Sequence, residues 1–170
     1  MIEASLSPLK LGHFHLLESA VSFINPEKKT SIEERKAIIA QYKFEFELDF
    51  GKRDNNTFFT YVELSFNSEA EPDTPCLPGY SVYLSAIGSF RVDDFDKLTT
   101  SEKSNLVHYS TVNYMIGRLR DHLYQVTSLS VWGAYTLPSV DMKDLLDKWF
   151  ASQEKKSIKK ATSGTGRKKR

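Results

Sequence analysis

Between residues 42 and 50 the chain alternates without a break. Tyr42, Phe44, Phe46, Leu48 and Phe50 are apolar, and Lys43, Glu45, Glu47 and Asp49 between them are charged. A period of two puts the apolar side chains on one side of an extended strand and the charges on the other. One dry face and one wet face belong to an antiparallel sheet covered on one side, not to a parallel sheet buried on both. Residues 51–57 (Gly-Lys-Arg-Asp-Asn-Asn-Thr) are turn formers, and 58–67 reads as the returning strand. A link this short cannot carry a parallel crossover, so the two strands form a hairpin.

Two further strands frame this hairpin. Residues 13–24 alternate loosely and end at Asn25-Pro26. After a loop at 69–79 that holds three prolines, residues 79–93 form a long strand. Tyr80, Val82, Leu84, Ala86, Gly88, Phe90 and Val92 share one face of it, and the other face still keeps Tyr83 and Ile87. Between the first two strands, Ser31 and Glu34 have capping-box spacing, and 32–39 reads as a short helix or an ordered connector.

Helices follow the strands. Thr99 and Glu102 make a second capping box, opening a long helix over 101–128, about 40 Å at 1.5 Å per residue. Tyr109, Val112, Ile116, Leu119, Leu123 and Val126 recur at heptad a and d spacing, which predicts a helix partner and hence an oligomer interface. A last short helix starts near Asp141, after Pro138. Met142, Leu145, Leu146, Trp149 and Phe150 form one apolar stripe along it. Four antiparallel strands followed by one long and one short amphipathic helix define an α+β fold.

Charge divides the chain at residue 154. Eight of its 23 Lys and Arg residues, and none of its 22 Asp and Glu, lie in 155–170. Residues 1–154 therefore carry 15 basic against 22 acidic groups, a net charge of −7, and read as one folded domain. Residues 155–170 read as a basic disordered tail. The single cysteine, Cys76, leaves no disulfide framework and suits a reducing cytosol. The N-terminus lacks the basic and apolar regions of a signal peptide, and no apolar run is long enough to span a membrane. A soluble cytoplasmic protein is expected.

Chemistry-bearing constellations are missing. His13 and His15 point the same way on a strand, but no third metal ligand accompanies them. Cys76 has no His or Asp partner nearby in sequence. Asp93, Asp94 and Asp96 lack the spacing of a calcium loop and read as a solvated turn. No Gly-rich phosphate loop is present. The reading is a non-enzyme without metal or cofactor.

The stretch Leu137-Pro138-Ser139-Val140-Asp141-Met142 leading into Leu145-Leu146 and Trp149-Phe150 resembles the C-terminal helix region of the SecB protein-export chaperone family. Ile87-Gly88-Ser89-Phe90 in the last strand and Arg118-Leu119-Arg120-Asp121 in the long helix are similar as well. The element order matches over residues 10–152, and the recognisable motifs occupy 79–150. The resemblance implies a tetramer built as a dimer of dimers, with the long helices at its centre. It also implies ATP-independent binding of unfolded or pre-secretory polypeptide in apolar grooves. Carried over by position, Leu137, Val140, Met142, Leu145, Leu146, Trp149 and Phe150 would line or support such a groove. Trp132 and Tyr135, large aromatics in a connection rather than a periodic element, would join them.

Two features depart from the best-known members. Their acidic tail helps dock the translocase motor SecA, whereas this tail is basic, and the link between the first two strands is dense in charge. Both suit a divergent member, dedicated to one client or to a toxin–antitoxin system, as well as a general export factor. The competing reading is an adaptor that dimerises through its body and recruits nucleic acid or anionic membrane through the tail. Against it, no aromatic residue or groove-reading motif accompanies the basic residues.

Overall fold

Four antiparallel strands form one sheet in the order β1-β4-β3-β2. They are β1 (Leu9–Ile24), β2 (Phe44–Lys52), β3 (Thr57–Phe66) and β4 (Gly79–Val92). The structure is a computed structural model that describes residues 6–68 and 76–164, with side chains described up to Lys155. Two units are distinguished, Met1–Leu137 and Pro138–Arg170.

The hairpin forms as the alternation requires. Phe44 pairs with Phe66, Leu48 with Val62 and Phe50 with Thr60, so apolar side chains meet on one face. Glu45, Glu47 and Asp49 stand on the other. Asp54 closes the turn by accepting from the backbone N–H groups of Asn56 and Thr57, which holds its carboxyl below the usual range.

β4 is central and carries the core. Tyr80, Val82, Leu84, Ala86, Phe90 and Val92 are buried, as are Phe58, Val62, Leu64 and Phe66 beside them on β3. The opposite face of β3 and β4 is half-exposed. There Glu63 accepts hydrogen bonds from both Tyr61 (2.8 Å) and Tyr83 (2.9 Å), and this carboxylate raises both phenol pKa values along with desolvation. β1 is an edge strand with two register shifts, Leu11/His13 and Leu16/Glu18. These bulges explain its loose alternation, and none of its side chains is fully buried.

The link between β1 and β2 contains a helix, α1 (Ile32–Ile39), started by the capping box of Ser31 and Glu34. Accepting from Ser31 keeps the Glu34 carboxyl below its ordinary range. The expected long helix runs from Thr100 to Thr127 in three parts. These are α2 (Thr100–Ser104), a π-helical turn (Asn105–Ser110) and α3 (Thr111–Thr127). At the junction, buried Thr111 donates from Oγ1 to the Val107 carbonyl (2.6 Å) and accepts from Thr60 Oγ1 (2.7 Å). Those two bonds satisfy a carbonyl at the π turn and tie the helix to β3.

α3 crosses the sheet obliquely. It meets β3 at Thr60, β4 where Tyr114 packs edge-on against Phe90, and β1 through Arg118 over Phe14 and His122 bonded to Ser19. Met115 sits over Gly88, where a Cβ would lie 2.5 Å from its sulfur. A side chain at this point of β4 would have to displace Met115 and the Phe90 ring.

The second unit contains α4 (Met142–Gly164), started by Asp141, whose carboxylate accepts from the N–H groups of Lys143 and Asp144. The helix is longer than expected. Helical backbone continues through 155–164, part of the segment read as a disordered tail, because Lys, Ser, Ile, Ala and Thr fill it and no Gly or Pro occurs before Gly164. Residues 165–170 lie outside the described residues.

Candidate client-binding surface

The connection after α3 is built from below by hydrogen bonds. Thr127 donates from Oγ1 to the Leu123 carbonyl (2.7 Å) and accepts from the Tyr135 N–H (2.7 Å). Tyr80, at the start of β4, donates from its hydroxyl to the Gly133 carbonyl and meets Ser130 Oγ at 2.8 Å. Arg120 Nε donates to the Leu137 carbonyl at 3.0 Å. Gly133 has φ +81°, the left-handed turn that glycine tolerates. Residues 128–137 are therefore held at several points although they have no regular secondary structure.

Two of the expected site residues in this connection are interior. Tyr135 is buried against Tyr42, Phe66 and Tyr80, and burial pushes its phenol pKa up. Its hydroxyl has no hydrogen-bond partner among the described residues. Leu137 is also buried. Both lie beneath the exposed part of the connection.

Trp132 is half-buried. Phe23 at the end of β1 packs edge-on against it with centroids 5.6 Å apart, and the Arg35 guanidinium of α1 lies over the indole, 5.5 Å from the ring centroid. The ring also rests on Gly79, where a Cβ would come within 2.7 Å of it. Tyr42 shapes the same corner, donating to the Pro78 carbonyl and accepting from the Tyr80 N–H, both at 2.9 Å.

Beside this anchored indole, Leu129 is 99% exposed and Val131 75% exposed. Neither belongs to a helical or strand stripe, so periodicity gives no sign of them. The signal was present in Leu129-Ser130-Val131-Trp132, a cluster of large apolar side chains in a connection. Nothing local in sequence brings Arg35 and Phe23 to Trp132.

In the second unit Met142 and Leu146 are buried, while Val140, Leu145 and Trp149 are half-buried. Phe150 is 41% exposed and packs edge-on against Trp149 with centroids 4.9 Å apart.

Six positions along the long helix were expected at an oligomer interface, and the structure places them differently. Val112, Ile116, Leu119 and Leu123 are buried within this chain, where α3 packs on β3 and β4. An α-helix drifts about 20° per heptad against a strict seven-residue repeat, so at the end of the stripe Thr127 takes the buried place and Val126 turns outward, 46% exposed. Tyr109, 43% exposed, lies in the π turn, whose wider revolution rotates it out of phase with α3.

Among the described residues no group of three or more His, Cys, Asp and Glu is placed to hold a metal, and no helix is long and apolar enough to cross a membrane. His13 and His15 stack with centroids 6.0 Å apart on the half-exposed sheet face.

No protein-family model and no curated protein matches the chain. Among solved structures, the fold is similar to that of the Mycobacterium tuberculosis SecB-like chaperone Rv1957 in complex with a ChAD peptide from the Rv1956 HigA1 antitoxin. That match has a TM-score of 0.51 and 16% identity, over 78% of this chain and 91% of that one. A protein of unknown function from Streptococcus agalactiae matches with a TM-score of 0.40 and 14% identity, over 79% of this chain and 100% of that one. The SecB-like α+β architecture expected from the residues is the architecture found.

Proposed function

We propose that the protein is an ATP-independent chaperone that holds unfolded polypeptide segments on the apolar surface of the connection after α3. The exposure of Leu129 and Val131 beside a half-buried Trp132, on a connection that the fold hydrogen-bonds into place, carries this reading. A soluble fold gains nothing from anchoring apolar side chains in water unless something covers them. In the second unit Val140, Leu145, Trp149 and Phe150 offer further apolar surface of the same kind.

Energetics suit a holding role. Each client side chain covered gains about 1.5–3 kcal/mol, offset by the cost of ordering a flexible chain. One short segment is held weakly, and several copies of the surface in one oligomer hold a long client tightly through effective concentration. With four positions of the α3 stripe committed to the core, self-association would use the exposed Tyr109, Tyr124 and Val126. The SecB-like neighbour holds a peptide from an antitoxin, so a dedicated client of that kind fits here as well as pre-secretory chains.

Light scattering tests the proposal. The protein alone should have the mass of an oligomer, which rises by one client after an unfolded protein is diluted in from denaturant. Leu129→Glu with Val131→Glu should abolish the rise and leave the starting mass unchanged. A wild-type protein that ignores the unfolded chain would sink the reading.

A further inference from the structure

Arg35 is a cation held at this surface against an aromatic ring, and among the described residues its bonding is incomplete. Its Nε reaches Thr30 Oγ1 at 3.4 Å, the long limit of a hydrogen bond. The salt bridges of the described residues are Lys10–Asp93, Arg91–Asp93, Lys97–Asp94, Lys143–Asp147 and Lys148–Asp144, and Arg35 is in none of them. Acidic neighbours do exist in α1. Glu34 spends its carboxylate on the Ser31 N–H at 2.6 Å, and Glu33 makes no ion pair with Arg35.

We propose that Arg35, resting on Trp132, recognises a carboxylate of the bound segment, so that the surface selects apolar stretches interrupted by Asp or Glu. This inference rests on the chaperone reading above and specifies the client chemistry. The cation–π contact with the indole holds the guanidinium at this surface and leaves its terminal nitrogens for a ligand. Two parallel N–H donors match the two oxygens of a carboxylate, a geometry that an ammonium group cannot reproduce. Arg35 is half-buried, so part of its hydration is already lost before the ligand arrives. Apolar contact with Leu129 and Val131 and a charge-assisted pair with Arg35 would then act on the same short segment.

Net charge sharpens the expectation. Residues 1–154 carry a charge of −7, which does not steer an acidic segment toward the surface. Selection by Arg35 is therefore a contact effect, expressed in how slowly the segment leaves and not in how fast it arrives.

The test uses two dye-labelled twelve-residue unstructured peptides, alike except for a central Leu-Glu-Ile or Leu-Gln-Ile, titrated by fluorescence anisotropy into the full-length protein. The Glu peptide should bind about tenfold more tightly than the Gln peptide, as a charge-assisted pair predicts, through slower dissociation. Arg35→Gln should weaken the Glu peptide alone and close the gap. Arg35→Lys, a second variant that keeps the charge without the fork, should leave an intermediate gap. Equal binding of both peptides to the wild type would overturn the inference while leaving the chaperone reading standing. Equal weakening of both by Arg35→Gln would overturn it too, since Arg35 would then only support Trp132. Binding of neither peptide would overturn the chaperone reading and this inference together.

Discussion

In α3, Val112, Met115, Leu119 and Leu123 have no exposed surface, whereas Leu129 and Val131, a few residues further along the chain, stand almost wholly in water. Composition does not distinguish the two regions, since both are rich in large apolar side chains. Periodicity does. In α3 the apolar positions fall on one side of a helix, and the sheet supplies a flat apolar partner for that side. The connection has no period, so its apolar side chains cannot all turn toward one neighbour. Tyr135 and Leu137 turn inward while Leu129 and Val131 turn out. Burial that follows a period builds the fold, and the apolar side chains left in water are the ones the proposed holding function would use.

Substitutions can break this contrast. The largest effect is expected from Leu119→Ala, which opens a cavity under a helix with no room to collapse. It should lower stability by about 2–5 kcal/mol in urea unfolding. Thr111→Val should cost about 1–3 kcal/mol, because Thr60 Oγ1 loses its acceptor and the Val107 carbonyl its donor. If Thr111→Val unfolds at the same urea concentration as the wild type, the π turn does not depend on that link.

A smaller effect concerns pH. Burial holds the His108 imidazole below the ordinary histidine value of about 6.5. The unfolded chain then binds more protons than the folded one, so stability rises with pH in this window. The contribution is fully present above about 6.5 and is lost as pH falls through the folded value. Thermal unfolding between pH 7 and pH 5 should show this loss, and His108→Gln should flatten it. The smallest stability effect is expected at Leu129→Ala, within about 0.5 kcal/mol of the wild type. Its capture of unfolded client, read by light scattering, should nevertheless fall. A stability loss at Leu129 comparable to that at Leu119 would mean that the connection belongs to the core and not to a binding surface.

Most elements were legible because local pattern and burial agree there. The alternation over residues 42–50 specified β2 and the antiparallel sheet, and it restricts the pairing with β3, since a one-residue slip would turn Phe44, Phe46 and Phe50 into water. Capping boxes at Ser31 and Thr99 marked two helix starts, because the spacing of Ser or Thr and Glu is itself the hydrogen-bond geometry. The 3–4 spacing of α3 showed a helix with a buried stripe and did not show against what. A heptad facing a partner helix and a heptad facing a sheet are the same string of residues.

What lay beyond the sequence was pairing at a distance. Arg35, Phe23 and Gly79 come from three separate elements, and nothing in their local sequence says that Trp132 will rest among them. The π turn that withdraws Tyr109 from the stripe ends at Thr111, which accepts a hydrogen bond from Thr60, some fifty residues away. Sequence alone determined the α+β class, the hairpin and the long helix, because these follow from backbone periodicity and nearest-neighbour bonding. Tertiary structure decided which apolar side chains the sheet would cover and which would face solvent. Coverage depends on the shape of the opposing surface, and no window of residues encodes that shape by itself.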